Sequence, residues 1–229
     1  MRAGLPRLPW SRFRSGGGVG GLARAARYAQ DMPAGCMLHV LFLTVDLCSL
    51  CLRIADPSTA MFVAAALFGD GAAGMVLRNI QGSDRGSGRG TELAVGDHFW
   101  PNTEQIMRWD IKEDGVGVVL SPESPGLIRA KFMPALRGFL DANDMYLGDF
   151  SEFIMHPGGA KILKTIQKLL RLSRGDLSYS WEVLRDFGNM SSPTALFGLA
   201  RAVHAGARGP HLLTAFGPGF SAYFVAIDL

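Results

Sequence analysis

Apolar residues run almost without break over residues 40–50, VLFLTVDLCSL. Both faces of such a segment are apolar, which predicts a central strand buried on both sides. Asp56, Pro57 and Ser58 then read as a helix start. AMFVAAALF, 60–68, predicts a buried helix. A Gly-Asp-Gly turn follows and feeds a small-residue strand, AAGMVLRN. Upstream, 19–30 predicts a helix with small residues on one face, suited to close approach by other backbones. Residues 1–18 carry Pro, Gly and Arg without periodicity and predict an irregular lead-in. The segment 81–92, QGSDRGSGRGTE, is polar, rich in glycine and without apolar anchors, so it predicts a linker between two halves.

The second half, 93–229, predicts a strand region over 93–120 and a helix over 125–143. A short strand, FSEFIMHP, comes next, then helices over 159–171, about 178–187 and 192–206. Two strands, HLLTAFGPG and FSAYFVAIDL, close the chain around a Gly-Pro-Gly turn. Apolar strands mixed with helices on both sides predict an α/β fold with layered α/β/α architecture. The halves are expected at 19–80 and 93–229.

Composition narrows the function classes. The 229 residues are 48 % apolar and 19 % charged, enough to build a core. A net charge of +3 gives no electrostatic footprint for nucleic acid, and no aromatic-basic face accompanies the arginines near the N-terminus. The apolar stretch 37–52 is too short, and with His39 and Asp46 too polar, for a membrane span. The basic N-terminus lacks the apolar run of a signal peptide. Cys48 and Cys51 form a CxxC with no second cysteine pair nearby, so buried structural thiols are expected rather than a metal or disulfide framework. These features predict a soluble cytoplasmic protein that binds neither nucleic acid nor membrane.

Two segments carry candidate chemistry. IMHPGG places His156 at the end of an apolar strand, facing a helix N-terminus opened by Gly158 and Gly159. FGNMSSPT places Asn189 between a glycine and a helix start, with Ser191 or Ser192 available as a cap. A third segment, AFGPGFS, sets a tight turn at Gly217 and Pro218. Taken singly, each is also what a structural strand end or an ordinary turn looks like.

Together, HPGG, GNMSS, AFGPG and ALFGDGAAG resemble the type III polyketide synthases of the chalcone/stilbene synthase family. DLCSLCLR resembles the bacterial branch, and the similarity runs from about residue 19 to 229. The resemblance implies a thiolase-like α/β/α/β/α fold, its first half incomplete here. It implies an acyltransferase that condenses malonyl-CoA, with loss of CO2, onto an acyl-CoA starter. No cofactor is implied beyond the coenzyme A thioester substrates, and a homodimer is expected. His156 matches the histidine paired with a cysteine nucleophile, whose thiol an imidazolium and a helix N-terminus activate. His156 and Asn189 match the donors that stabilise the enolate. Phe68 matches an aromatic gatekeeper, Cys51 a cavity-lining position, and Val118 a second gatekeeper position. Ser191, Gly217 and Pro218 are expected along the cavity, and Gly158 and Gly159 beside the coenzyme A arm.

The resemblance breaks at the nucleophile. The family pattern resembles GCxGGxxGLAR, and its register on GGGVGGLARAA puts Ser15 in the cysteine's place, with Arg14 where glycine is usual. A serine hydroxyl stays protonated without a dedicated base. Cys36 follows the helix and stands at its wrong end; Cys48 and Cys51 lie in or just past the strand. The chain also reads as N-terminally truncated, lacking first-half strands and the basic residues that grip coenzyme A phosphates. Three readings stay open: a type III polyketide synthase, a ketoacyl-ACP synthase III-like enzyme, and a non-catalytic remnant or dimer partner.

Overall fold

The computed structural model describes residues 16–30, 39–53, 56, 58–79, 90–112 and 115–229. Ser15, Cys36 and most of the expected linker fall outside the described residues. In chain order the elements are α1 (Gly17–Gln30), β1 (His39–Asp46), α2 (Thr59–Leu67), β2 (Gly71–Arg78), β3 (Thr91–Phe99), β4 (Met107–Lys112) and β5 (Gly115–Leu120). They continue as α3 (Ser124–Asp141), β6 (Glu152–Met155), α4 (Ala160–Leu170), α5 (Ser178–Phe187), α6 (Pro193–His204), β7 (Pro210–Gly217) and β8 (Ser221–Asp228).

The main sheet runs β3-β8-β7-β6. β6 pairs with β7 in parallel, and the other pairs are antiparallel. Its central strands, β7 and β8, are mostly apolar on both faces because both are covered. On one face, α3 and α4 bring Phe132, Leu136, Phe139, Leu163 and Ile166 against Phe153, Leu212 and Phe224. On the other, α1 and α6 pack Val19, Leu22, Leu196 and Leu199 against Ile154, Leu213 and Val225. The same two helices meet Phe42, Ala73 and Met75 of a second sheet, β1-β2. The order is therefore helix, sheet, helix, sheet: four successive layers of a thiolase-like fold.

α1 sits between the sheets because its inner face is nearly all glycine and alanine. A methyl group on Gly18 would collide with the carbonyl oxygen of Ser192, at the start of α6. The small-residue face read from the sequence is thus where two helix backbones touch.

Two expectations need correction. The strand expected over 40–50 ends at Asp46, and Cys48–Cys51 forms a 3₁₀ turn. That strand is covered on one face only: Leu41, Leu43 and Val45 are 62–64 % exposed. Their cross-strand partners are Val76, Gly74 and Ala72, so this whole face of the small sheet is apolar and open. The helix expected to be buried over 60–68 is α2, with Phe62 69 % exposed and, within the helix, only Ala64 buried. Apolar pattern shows that a face wants cover; the described residues supply none here.

Candidate active site

His156 directly follows β6. Its N–H donates to Thr214 O of β7 at 2.7 Å, which extends the parallel pairing by one residue and fixes the backbone under the ring. The side chain is 5 % exposed, and Nδ1 is buried with no partner. Burial pushes the imidazole down to about 4. The family resemblance leads one to expect an imidazolium. Among the described residues no acidic group offsets the desolvation, so the ring is neutral at pH 7 and offers one N–H donor.

Gly158 donates its N–H to His156 O at 2.9 Å, and Gly159 caps α4 at φ 147°, a conformation that favours glycine. These glycines turn the chain from β6 into α4 without placing side chains over the ring.

Asn189 is 4 % exposed and held from several sides. Its N–H donates to Leu67 O at 2.8 Å, and its carbonyl accepts from Gly69 N–H at 3.0 Å. The two bonds bracket Phe68 in a parallel bridge. In the side chain, Oδ1 accepts from Ser191 N–H at 2.8 Å, which assigns the amide orientation. Nδ2 is left with a long contact of 3.5 Å to Gly158 O. A donor so weakly engaged can turn to a substrate oxygen.

His156 and Asn189 share one chamber of about 610 Å³. Phe68, Cys51, Ser191, Gly158, Gly159 and Pro218 also line it. Gly217 does not line it; it ends β7 and packs against Tyr223 and Ser221 of β8. Val118 lies in β5, and its side chain is outside the described ones. Ser15 is outside the described residues altogether.

Several wall residues escaped the sequence reading. Met61, Leu67, Met107, Ile128 and Phe220 make the chamber apolar, and Cys48 joins Cys51. Leu67 also holds Asn189 through its backbone carbonyl, which side-chain type does not reveal. Cys48 is buried, and burial, reinforced by Asp46, Cys51 and Asp70, pushes its thiol up to about 12. It stays protonated at neutral pH and cannot stand in for a nucleophilic thiolate. Among the described residues, no group of three acidic, His or Cys side chains is placed to hold a metal. No described helix is long and apolar enough to cross a membrane.

Comparison with known proteins bears directly on this geometry. The family described as "Chalcone and stilbene synthases, C-terminal domain" matches residues 92–226, more than half of the chain and the part that carries His156 and Asn189. The chain belongs to the chalcone and stilbene synthase family. Members similar to it include a 1,3,6,8-tetrahydroxynaphthalene synthase of Streptomyces peucetius subsp. caesius, 36 % identical over 99 % of this chain and 60 % of that protein. A putative chalcone synthase of Bacillus subtilis (strain 168) is 33 % identical over 94 % of this chain and 60 % of its own length. Among solved structures, the tetrahydroxynaphthalene synthase of Streptomyces coelicolor A3(2), a bacterial type III polyketide synthase, superposes with a TM-score of 0.85. It is 25 % identical, over 96 % of this chain and 62 % of that one. The chain thus spans about 60 % of the length of these type III polyketide synthase relatives.

Proposed function

We propose that the chain is a type III polyketide synthase-like acyltransferase whose described residues assemble the malonyl half of a decarboxylative condensation. The observation that carries this is the convergence of His156 and Asn189, both buried, in one apolar chamber beside Phe68. A malonyl thioester seated there directs its thioester oxygen at the imidazole N–H and the Asn189 amide. Loss of CO2 leaves an electron pair on the α-carbon, delocalised onto that oxygen as an enolate. Donors aimed in advance at the developing negative charge lower the barrier to its formation, and an apolar wall makes each of them count for more. The enolate carbon then attacks the carbonyl of an acyl thioester, and the thiolate leaves.

The thioester is its own electron sink, so this chemistry asks for no metal or organic cofactor. Acyl-CoA and malonyl-CoA are the proposed substrates, with the cytoplasm as the compartment and a homodimer as the assembly. Condensation also needs a group to hold the starter, and the register with the family puts Ser15 there. We therefore expect decarboxylation to outrun carbon–carbon bond formation in the chain as it stands. The test is product analysis by mass spectrometry after incubation with an acyl-CoA and malonyl-CoA. Ser15→Cys is expected to raise condensed product above the wild-type level. Equal, abundant product from both would contradict the assignment of Ser15.

A second reading, a non-catalytic partner, is favoured by one observation: the open apolar face of β1-β2. It predicts no CO2 release from malonyl-CoA at all.

A further inference from the structure

Asn189 can act only if its amide is held with Nδ2 toward the chamber. That orientation depends on Ser191 N–H, the donor to Asn189 Oδ1. Ser191 has φ 61°, a left-handed conformation that a serine keeps only when its surroundings impose it. On its carbonyl side, the Thr194 hydroxyl donates to Ser191 O at 2.7 Å. The other end of that same peptide, Ser192 N–H, donates at 2.8 Å to Asp46 Oδ2.

Asp46 is the last residue of β1, 146 positions away in sequence. It ends a strand that is otherwise apolar over most of its length. Its carboxylate stands at the N-terminus of α6, where Ser192 provides no side-chain cap of its own. Unpaired N–H groups and the helix dipole favour an anion there. Gly18 of α1 closes on Ser192 O from another direction. The start of α6 is thus pinned by a charge from one sheet and by the bare backbone of a neighbouring helix.

We infer that Asp46 is a positioning residue: its carboxylate, through Ser192 N–H, keeps Ser191 left-handed and so keeps the Asn189 amide turned toward the chamber. This rests on the proposed decarboxylation for its functional meaning. It adds that the strand before the CxxC turn controls the orientation of the Asn189 donor.

Asp46→Leu removes the acceptor at similar size, whereas Asp46→Asn keeps an acceptor oxygen without the charge. The first readout needs no activity. It is hydrogen exchange at the Ser192 amide, with the nitrogen-15 resonances of the Asn189 side chain. Loss of one hydrogen bond predicts exchange about tenfold faster in Asp46→Leu, with shifted Asn189 side-chain signals, and near wild-type behaviour in Asp46→Asn. The second readout is CO2 release from malonyl-CoA per folded molecule. There kcat falls about tenfold in Asp46→Leu with KM unchanged, and Asp46→Asn recovers most of it. If Asp46→Leu does not fold, Asp46→Ala takes its place. Unchanged Asn189 signals in a folded variant lacking the acceptor would overturn the inference. So would equal loss of kcat in both variants. Absence of CO2 release from the wild type would count against the proposed function alone, and the exchange measurement would still decide the role of Asp46.

Discussion

Phe68 and Asn189 are joined through their backbones, not their side chains. Asn189 N–H donates to Leu67 O at 2.8 Å and Asn189 O accepts from Gly69 N–H at 3.0 Å, so the two segments form a one-residue parallel bridge. Phe68 and Asn189 are therefore positioned by the same pair of hydrogen bonds. Movement of the α2 end displaces Asn189, and the reverse holds too.

Gly188 makes that bridge possible. Its φ is +69°, and a methyl group there would press on Leu67 O, the acceptor of the bridge. Gly188→Ala is expected to cost about 1–3 kcal/mol, as conformational strain and collision combine. Urea denaturation measures it. A cost near zero would show that Leu67 and Asn189 are not clamped as described.

His156 makes stability depend on pH. Its folded value, about 4, lies below the usual 6.5, because burial disfavours the charged form. The unfolded chain therefore takes up the proton first, and stability is lost as pH falls from 6.5 toward 4. Above 6.5 both states are neutral at this site and the effect vanishes. A shift of this size corresponds to about 3 kcal/mol. Relative to His156→Gln, the wild type is expected to lose about that much stability between pH 7 and pH 4, measured by chemical denaturation. Parallel curves for the two proteins would contradict the burial of the ring.

Cys48 is buried and Cys51 half-buried. Both line the chamber, but burial pushes the Cys48 thiol up to about 12. Iodoacetamide at pH 8 is expected to label Cys51 well before Cys48, read by peptide mass spectrometry. Faster labelling of Cys48 would reverse the assignment of which thiol is usable.

Much of this was legible in the sequence. The helix expected at about 178–187 is α5, at Ser178–Phe187. His156 and Asn189 were legible through HPGG and GNMSS, where strand end, glycine turn and helix start coincide. Three things were not. The open face of β1 could not be read, because an apolar pattern states what a face needs, not what lies against it. Asp46 looked like a polar break in an apolar run; its partner, Ser192 N–H, is a backbone group from the far half of the chain. The neutral state of His156 follows from burial depth, which no local motif encodes.

The exposed face has a consequence of its own. Leu41 and Leu43, 62 % and 64 % exposed, stand beside Val76 on a sheet that has two strands among the described residues. Such a face promotes association. The purified chain is expected to self-associate with rising concentration, and Leu41→Lys with Leu43→Lys to suppress this with a Tm change of no more than a few degrees. Sedimentation velocity distinguishes the outcomes; monomeric wild type at high concentration would contradict the expectation.

The most direct test of the central claim is CO2 release from carboxyl-labelled malonyl-CoA by the wild type, His156→Ala and Asn189→Ala. The account predicts release by the wild type and a loss of about a hundredfold or more in either variant, since each removes a donor to the enolate oxygen. Release that continues undiminished in both variants would contradict it.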